Sequence, residues 1–310
     1  MADRPWRAAI AIVVSAGVLG CGQSDRSANP TLAPALRDAA SQGRFSDRTL
    51  TEASGLVQSS REPNVFWSHN DSGNSEQLFA FDSTGLSLGT VRVEGARNRD
   101  WEAIALGPCT VGSCFYIGDV GDNAGRRDDI TLWRISQPTV HDTVTSLAER
   151  LRIRYADGPR DVEAIWVTPD TSVYLLTKRP DQDATGRYRP ARIYRVPASA
   201  WRDESVAIAV VIDSLPIVNM PGDSRGWITD AALSAPDGTG ARRLAVRSYR
   251  ELYVFGIDTV SWRPTGVIEK CSLTALREKN SGEGVAWLAD GRLMFDAEGE
   301  GARLHTGRCP

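Results

Sequence analysis

Long helical patterns are missing from this chain, which leaves an all-β reading. A basic excess is missing too: 36 Lys and Arg stand against 39 Asp and Glu, for a net charge of -3. That balance offers nucleic acid no footprint. Histidine is scarce, with only His69, His141 and His305, and the patterns GxSxG, HExxH and a phosphate-cradling Gly-rich loop are absent. A Ser-His-Asp triad would have to use His69, and no serine is placed for it. No apolar run reaches the roughly 20 residues of a bilayer span.

The longest apolar run, from Ala8 to Gly20, follows Arg4 and Arg7 and has the length of a signal-peptide core. It ends in VLGC, Val18 to Cys21, which resembles the lipobox of bacterial lipoproteins. That resemblance implies removal of residues 1–21 up to a lipidated Cys21 and an exported, membrane-anchored protein facing the periplasm or the cell exterior. An ordinary secretory peptide is the alternative. No aspartate follows Cys21, so in a cell with two membranes the outer one is the expected address. Four further cysteines pair without remainder: Cys109 and Cys114 flank a short turn, leaving Cys271 and Cys309 for each other. A metal half-site at Cys109 and Cys114 is the other reading, although no His or Cys partner lies nearby.

What is present is a repeat. RDWEAIALGP from Arg99 returns as EASGLVQS from Glu52, RDVEAIWVTP from Arg160, WITDAALSAP from Trp227 and GEGVAWLADG from Gly282. Each copy is a short apolar strand followed, after a turn, by another: VFWSHND, CFYIGDVGD, VYLLTK, RRLAVRS and RLMFDAE. Such self-similarity predicts an all-β, five-bladed β-propeller of four-stranded antiparallel blades, with six blades as the alternative. The expected domains are a signal peptide (1–21), a Ser-, Ala- and Pro-rich tether (22–43, with a short helix possible over PALRDAASQG) and one propeller (44–310). The fifth repeat lacks a fourth strand, which a segment near Arg44 to Leu50 is expected to supply, closing the ring. Trp67, Trp101, Trp133, Trp166 and Trp287 fall on the repeated strands and are expected between blades, with the tunnel mouth an alternative for Trp101.

In a blade the first strand is innermost and the second antiparallel to it, so first-strand starts and second-strand ends share one face. First-strand starts carry Ser54, Glu102, Glu163, Thr229 and Glu283, with Glu52, Asp100, Asp161 and Asp230 close by. Second-strand ends carry His69-Asn70-Asp71, Asp119 with Asp122-Asn123, Lys178-Arg179, Arg247-Ser248, and Asp296 with Glu298. Carboxylates crowded into one tunnel repel unless a cation sits among them, and an all-oxygen shell suits Ca²⁺ better than zinc. The alternative is that these side chains bond the backbone of the next blade. Asp119, Asp122 and Asn123 in GDVGDN could ligate a second cation or simply make a turn. DQDATG, from Asp181 to Gly186, reads as an exposed loop.

Over residues 52–300 the pieces EASGLV, DWEAIAL, VEAIW with a following TKR, ITDAAL and EGVAW resemble the calcium-activated nucleotidase (apyrase) family of five-bladed propellers. The resemblance implies Ser54, Glu102, Glu163, Thr229 and Glu283 as calcium ligands and Lys178 and Arg179 facing substrate phosphates. Thr229 stands where that family tends to serine, and GDVGDNAGRRDD has no counterpart there. The combination of DWEA, GDVGDN and DVEA is also similar to a broad set of exported bacterial propellers without an assigned activity.

Two functions are therefore expected. One is a Ca²⁺-dependent phosphohydrolase of phosphorylated small molecules, in which Lys178, Arg179 and Arg247 draw in the anion and Asp71 or Asp119 accepts a proton from water. A lactonase or esterase using the same cation is a variant of it. The other is a monomeric, non-catalytic envelope scaffold that binds a glycan or protein through a structural cation.

Overall fold

In the computed structural model the described residues are 33–179, 185, 189–203, 205–217, 224–278 and 281–310. The leader, Cys21, much of the tether span and nearly all of the 181–186 loop lie outside them. Strand β1 (Arg37–Arg44) comes first. The first unit is β2 (Ala53–Gln58), β3 (Val65–Asn70), β4 (Gln77–Asp82) and β5 (Ser87–Arg92), and the second is β6 (Trp101–Pro108), β7 (Ser113–Asp119), β8 (Ile130–Ser136) and β9 (Glu149–Tyr155). The third is β10 (Val162–Val167), β11 (Val173–Thr177), β12 (Arg192–Val196) and β13 (Ala207–Ser214), and the fourth is β14 (Ile228–Leu233), β15 (Arg242–Ser248), β16 (Glu251–Ile257) and β17 (Pro264–Ser272). The fifth contains β18 (Gly282–Trp287), β19 (Leu293–Ala297) and β20 (Arg303–Arg308), with β1 as its outer strand.

The units close into a ring. Innermost strands pack in the order β2, β6, β10, β14, β18 and back to β2, so the propeller has five blades. Hydrophobic clusters fill each space between neighbouring blades: Trp67, Trp101 and Trp133 lie between the first and second, and Trp166 stacks with Tyr174 between the third and fourth. Trp101 is wholly buried and donates to the Arg97 carbonyl, so it does not line the tunnel mouth. Trp287 is the partly exposed one of the set.

Burial explains the strand sequences. Inner strands are covered on both faces and read as continuous apolar runs, as in VEAIWV of β10, whereas the outer strand β9, ERLRIRY, alternates between exposed and buried residues. Closure also follows from pairing. β1 runs antiparallel to β20, from Arg37 opposite Arg308 to Arg44 opposite Arg303. This closing strand begins at Arg37, inside the span expected as tether and possible helix, and ends where the expected strand would have begun. Phe45 and Leu50, which follow it, are buried between the fifth and first blades. The outer strands β9 and β13 pair in parallel, covering two edges with each other. Both expected disulfides are present, Cys109–Cys114 and Cys271–Cys309, the second joining the fourth blade's outer strand to the chain's last residues. No helix among the described residues is long and apolar enough to cross a membrane.

Candidate functional site

Inner-strand starts place Ser54, Glu102, Glu163, Thr229 and Glu283 at equivalent positions around one end of the tunnel, and all five are buried. Their partners differ. The Ser54 hydroxyl donates to the Glu102 carbonyl (3.0 Å), and the Thr229 hydroxyl donates to the Glu283 carbonyl (2.9 Å). Both hydroxyls thus tie one blade to the backbone of the next. Glu163 binds the Lys178 ammonium, which β11 delivers into the tunnel from its C-terminal end. Burial pushes Glu102, Glu163 and Glu283 above the usual carboxylate range; the charge of Glu163 adds to the rise of Glu102 and Glu283, while Lys178 works against that of Glu163. Burial also works against the Lys178 ammonium, but Glu163 and Glu102 outweigh it and hold the charge. The ring carries its own cation.

Among the described residues one carboxylate group close enough to share a metal ion includes a member of that ring. Asp71, Asp100 and Glu102 each offer an oxygen within 4.8 Å of the others, Glu102 buried and the two aspartates partly exposed. Burial, then the neighbouring Asp71, raises the Asp100 carboxyl to about 6, and burial raises Asp71 as well. The geometry has a simple source. Asp100 is the bend residue just before β6 and Glu102 the strand's second residue, so the D-W-E sequence brings two acids to the strand's start while Trp101 packs in the blade interface. Asp71 follows the end of β3, held by its backbone N–H, which donates to the Glu52 carbonyl (2.8 Å). Asp100 was the member that a one-oxygen-per-blade reading passed over, and the D-x-E spacing was the signal for it.

The GDVGDN segment is the turn that closes on this group. The amides of Val120 and Gly121 donate to the Asp100 carbonyl (3.1 and 3.2 Å). A Cβ on Gly121 would lie 2.5 Å from Asp100 Oδ2 and 2.6 Å from Glu102 Oε1, so glycine alone lets the backbone pass this close. Asp122 accepts the amides of Arg126 (2.9 Å) and Arg127 (2.8 Å), and Asn123 accepts from Arg179. The Asp122 bonds are those of a turn, and the Asn123 bond reaches across to the residue that follows β11. Asp119 is ion-paired with Arg127 (2.8 Å), both nearly fully buried, and that pairing removes it as a base for solvent water.

The basic residues expected to draw in an anion are engaged elsewhere. Arg247 is wholly buried, with its guanidinium on Glu278 and on the carbonyls of Gly284 and Asp296 (2.8 Å), over the ring of Phe295. It joins the fourth blade to the fifth and meets no solvent. Lys178 faces the glutamates of the tunnel rather than solution. Arg179 is the exposed one, lying 4.3 Å from the centre of the Trp227 ring and 3.6 Å from Asp161. His69 is buried edge-on to Trp101, and burial lowers its imidazole to about 4, so it stays neutral.

Below the ring the inner strands are bridged by a buried side chain. Asp230, where the other inner strands carry Gly55, Ala103, Ala164 and Gly284, reaches from β14 to accept the amides of Val285 (2.8 Å) and Leu56 (3.3 Å) on β18 and β2. It is buried, and burial pushes its carboxyl up despite those bonds. Asp230 thus ties three inner strands together between the acidic mouth and the tunnel's far end.

No family model matches the chain, and no curated protein matches it. Solved structures match by fold. A glucose dehydrogenase has a TM-score of 0.50 at 10% identity, over 87% of this chain and 99% of that one. A soluble aldose sugar dehydrogenase from Escherichia coli, in its apo-form, has 0.49 at 11%, over 87% and 98%. The Dos1 propeller has 0.37 at 9%, over 81% of this chain, which spans 57% of that one. At such identities the likeness is one of architecture alone, and this chain is a β-propeller.

Proposed function

We propose that this protein is an exported, lipid-anchored β-propeller that holds one divalent cation, calcium by its donor set, at the acidic tunnel mouth, and uses that face to bind a glycan or protein of the cell envelope. The observation that carries the reading is the convergence of Asp71, Asp100 and Glu102 within 4.8 Å, against a backbone kept clear by Gly121. Three carboxylates at that spacing repel, and a dication relieves the repulsion. Oxygen donors without His or Cys fit a hard cation, and the two aspartates reach solvent, so water can complete the shell. Two disulfides and the VLGC leader support export. The engagement of Lys178, Arg179 and Arg247 with protein partners favours binding over phosphate turnover.

A calcium-dependent, nucleotidase-like hydrolase is the second reading. What favours it is that Asp71 and Asp100, two members of the candidate cation site, are partly exposed, so a carboxylate oxygen not given to the ion can take a proton from water. A bound divalent ion would supply polarisation of the electrophile. Calorimetric titration separates these readings from a purely structural cluster. Calcium is expected to bind one equivalent per chain, and Gly121→Ala and Glu102→Gln are each expected to weaken binding by about tenfold or more. A nucleotide and sugar-phosphate panel then tells binder from enzyme: phosphate release lost in Glu102→Gln makes the hydrolase the function. Absence of calcium binding by the wild-type protein would remove both.

A further inference from the structure

The far end of the tunnel has a different chemistry from its mouth. There the C-terminal ends of the inner strands open around a cavity of about 420 Å³, walled by Leu56, Ile104, Ile165, Leu233 and Trp287. That volume lies in the range that encloses a small organic ligand, and mostly apolar walls with a few polar groups are the usual make-up of such a site. We propose that this cavity is a second ligand site, for a small molecule with a flat apolar body and one anionic group.

The polar groups at the rim decide the sign of charge. Asp237 also borders the cavity, but its carboxylate is turned into its own loop, accepting the amides of Thr239 (2.8 Å) and Ala241 (3.1 Å) and the Thr239 hydroxyl (2.7 Å). The Trp287 indole N–H is already given to the Ala232 carbonyl (2.9 Å), which fixes the ring as a wall. Arg243 lies over that ring, 4.6 Å from its centre, and its ion pair among the described residues is a loose one to Glu269 at 3.5 Å, with 40% of the side chain exposed. A planar anion can stack along Trp287 and place its charge on the guanidinium, whose fork suits a carboxylate or sulfonate. Asp230, bonded to the amides of Val285 and Leu56, stands between this cavity and the acidic mouth, so the two are separate places along the tunnel.

The test uses 8-anilinonaphthalene-1-sulfonate, a flat aromatic monoanion, with the full chain carrying Cys21→Ser. One saturable probe per chain is expected, with the same affinity in EDTA and in calcium. Arg243→Gln is expected to weaken it by about tenfold, and Leu233→Glu, which puts a carboxylate on the wall, by more. N-phenyl-1-naphthylamine, the same body without the sulfonate, is expected to bind and to ignore Arg243→Gln. No saturable binding, or equal binding by the wild type and a natively folded Leu233→Glu protein, overturns the site. Equal effects of Arg243→Gln on both probes overturn its anion specificity.

Discussion

An ammonium sealed among carboxylates is held by their charge, and Lys178 is in that position. Its pair with Glu163 is buried, and removing one partner of such a pair leaves the other without compensation. In Lys178→Met, the carboxyls of Glu163, Glu102 and Glu283, already raised, rise further. An acid whose folded pKa lies above its unfolded one stabilises the fold only at low pH, and that contribution is lost as pH rises through the folded value. The variant is therefore expected to lose about 3–5 kcal/mol at pH 8 and much less at pH 5, measured by urea unfolding in EDTA. An equal deficit at both pH values would show that packing, not charge, is what Lys178 provides. The basic pair after β11 was legible in the sequence, but its direction was not: TKR says that charges end a strand, and only the ring of glutamates says which way the first one turns. Asp100 was named only as a neighbour of the first-strand starts for a related reason, since counting one oxygen per blade sets aside a second acid in the bend that precedes the strand.

The strands of the blades were legible because covered strands need continuous apolar runs and their turns need Gly, Asn or Asp, and both patterns repeat. Strand β1 was not. Its sequence RDAASQGR leaves most side chains exposed and has no apolar alternation, so nothing local marks it as β. It is a strand because β20 offers it a free edge. The Cys271–Cys309 disulfide supports the same closure by fixing the end of the chain that carries β20. It spans 38 residues of sequence against 5 for Cys109–Cys114. Loop-closure entropy then predicts that replacing Cys271 and Cys309 with serine costs about 2–4 kcal/mol of unfolding free energy, and replacing Cys109 and Cys114 costs less. The reverse order in chemical unfolding would mean that the chain ends are held by β1 pairing alone.

As a ring, the molecule divides its tunnel into an acidic mouth and an apolar far end, with Asp230 between them. The mouth holds the central claim. A site filled to about 100 times its dissociation constant adds roughly 2.7 kcal/mol, a rise of several degrees for a domain of this size. The deciding measurement is the unfolding temperature of the full chain, with Cys21→Ser, in excess EDTA and then in saturating Ca²⁺, Mg²⁺ or Mn²⁺. Calcium is expected to raise the midpoint by several degrees, more than magnesium does, and Asp100→Asn with Glu102→Gln is expected to abolish the rise. A midpoint that no metal moves, or a calcium rise that survives the double substitution, would contradict a calcium site at the mouth.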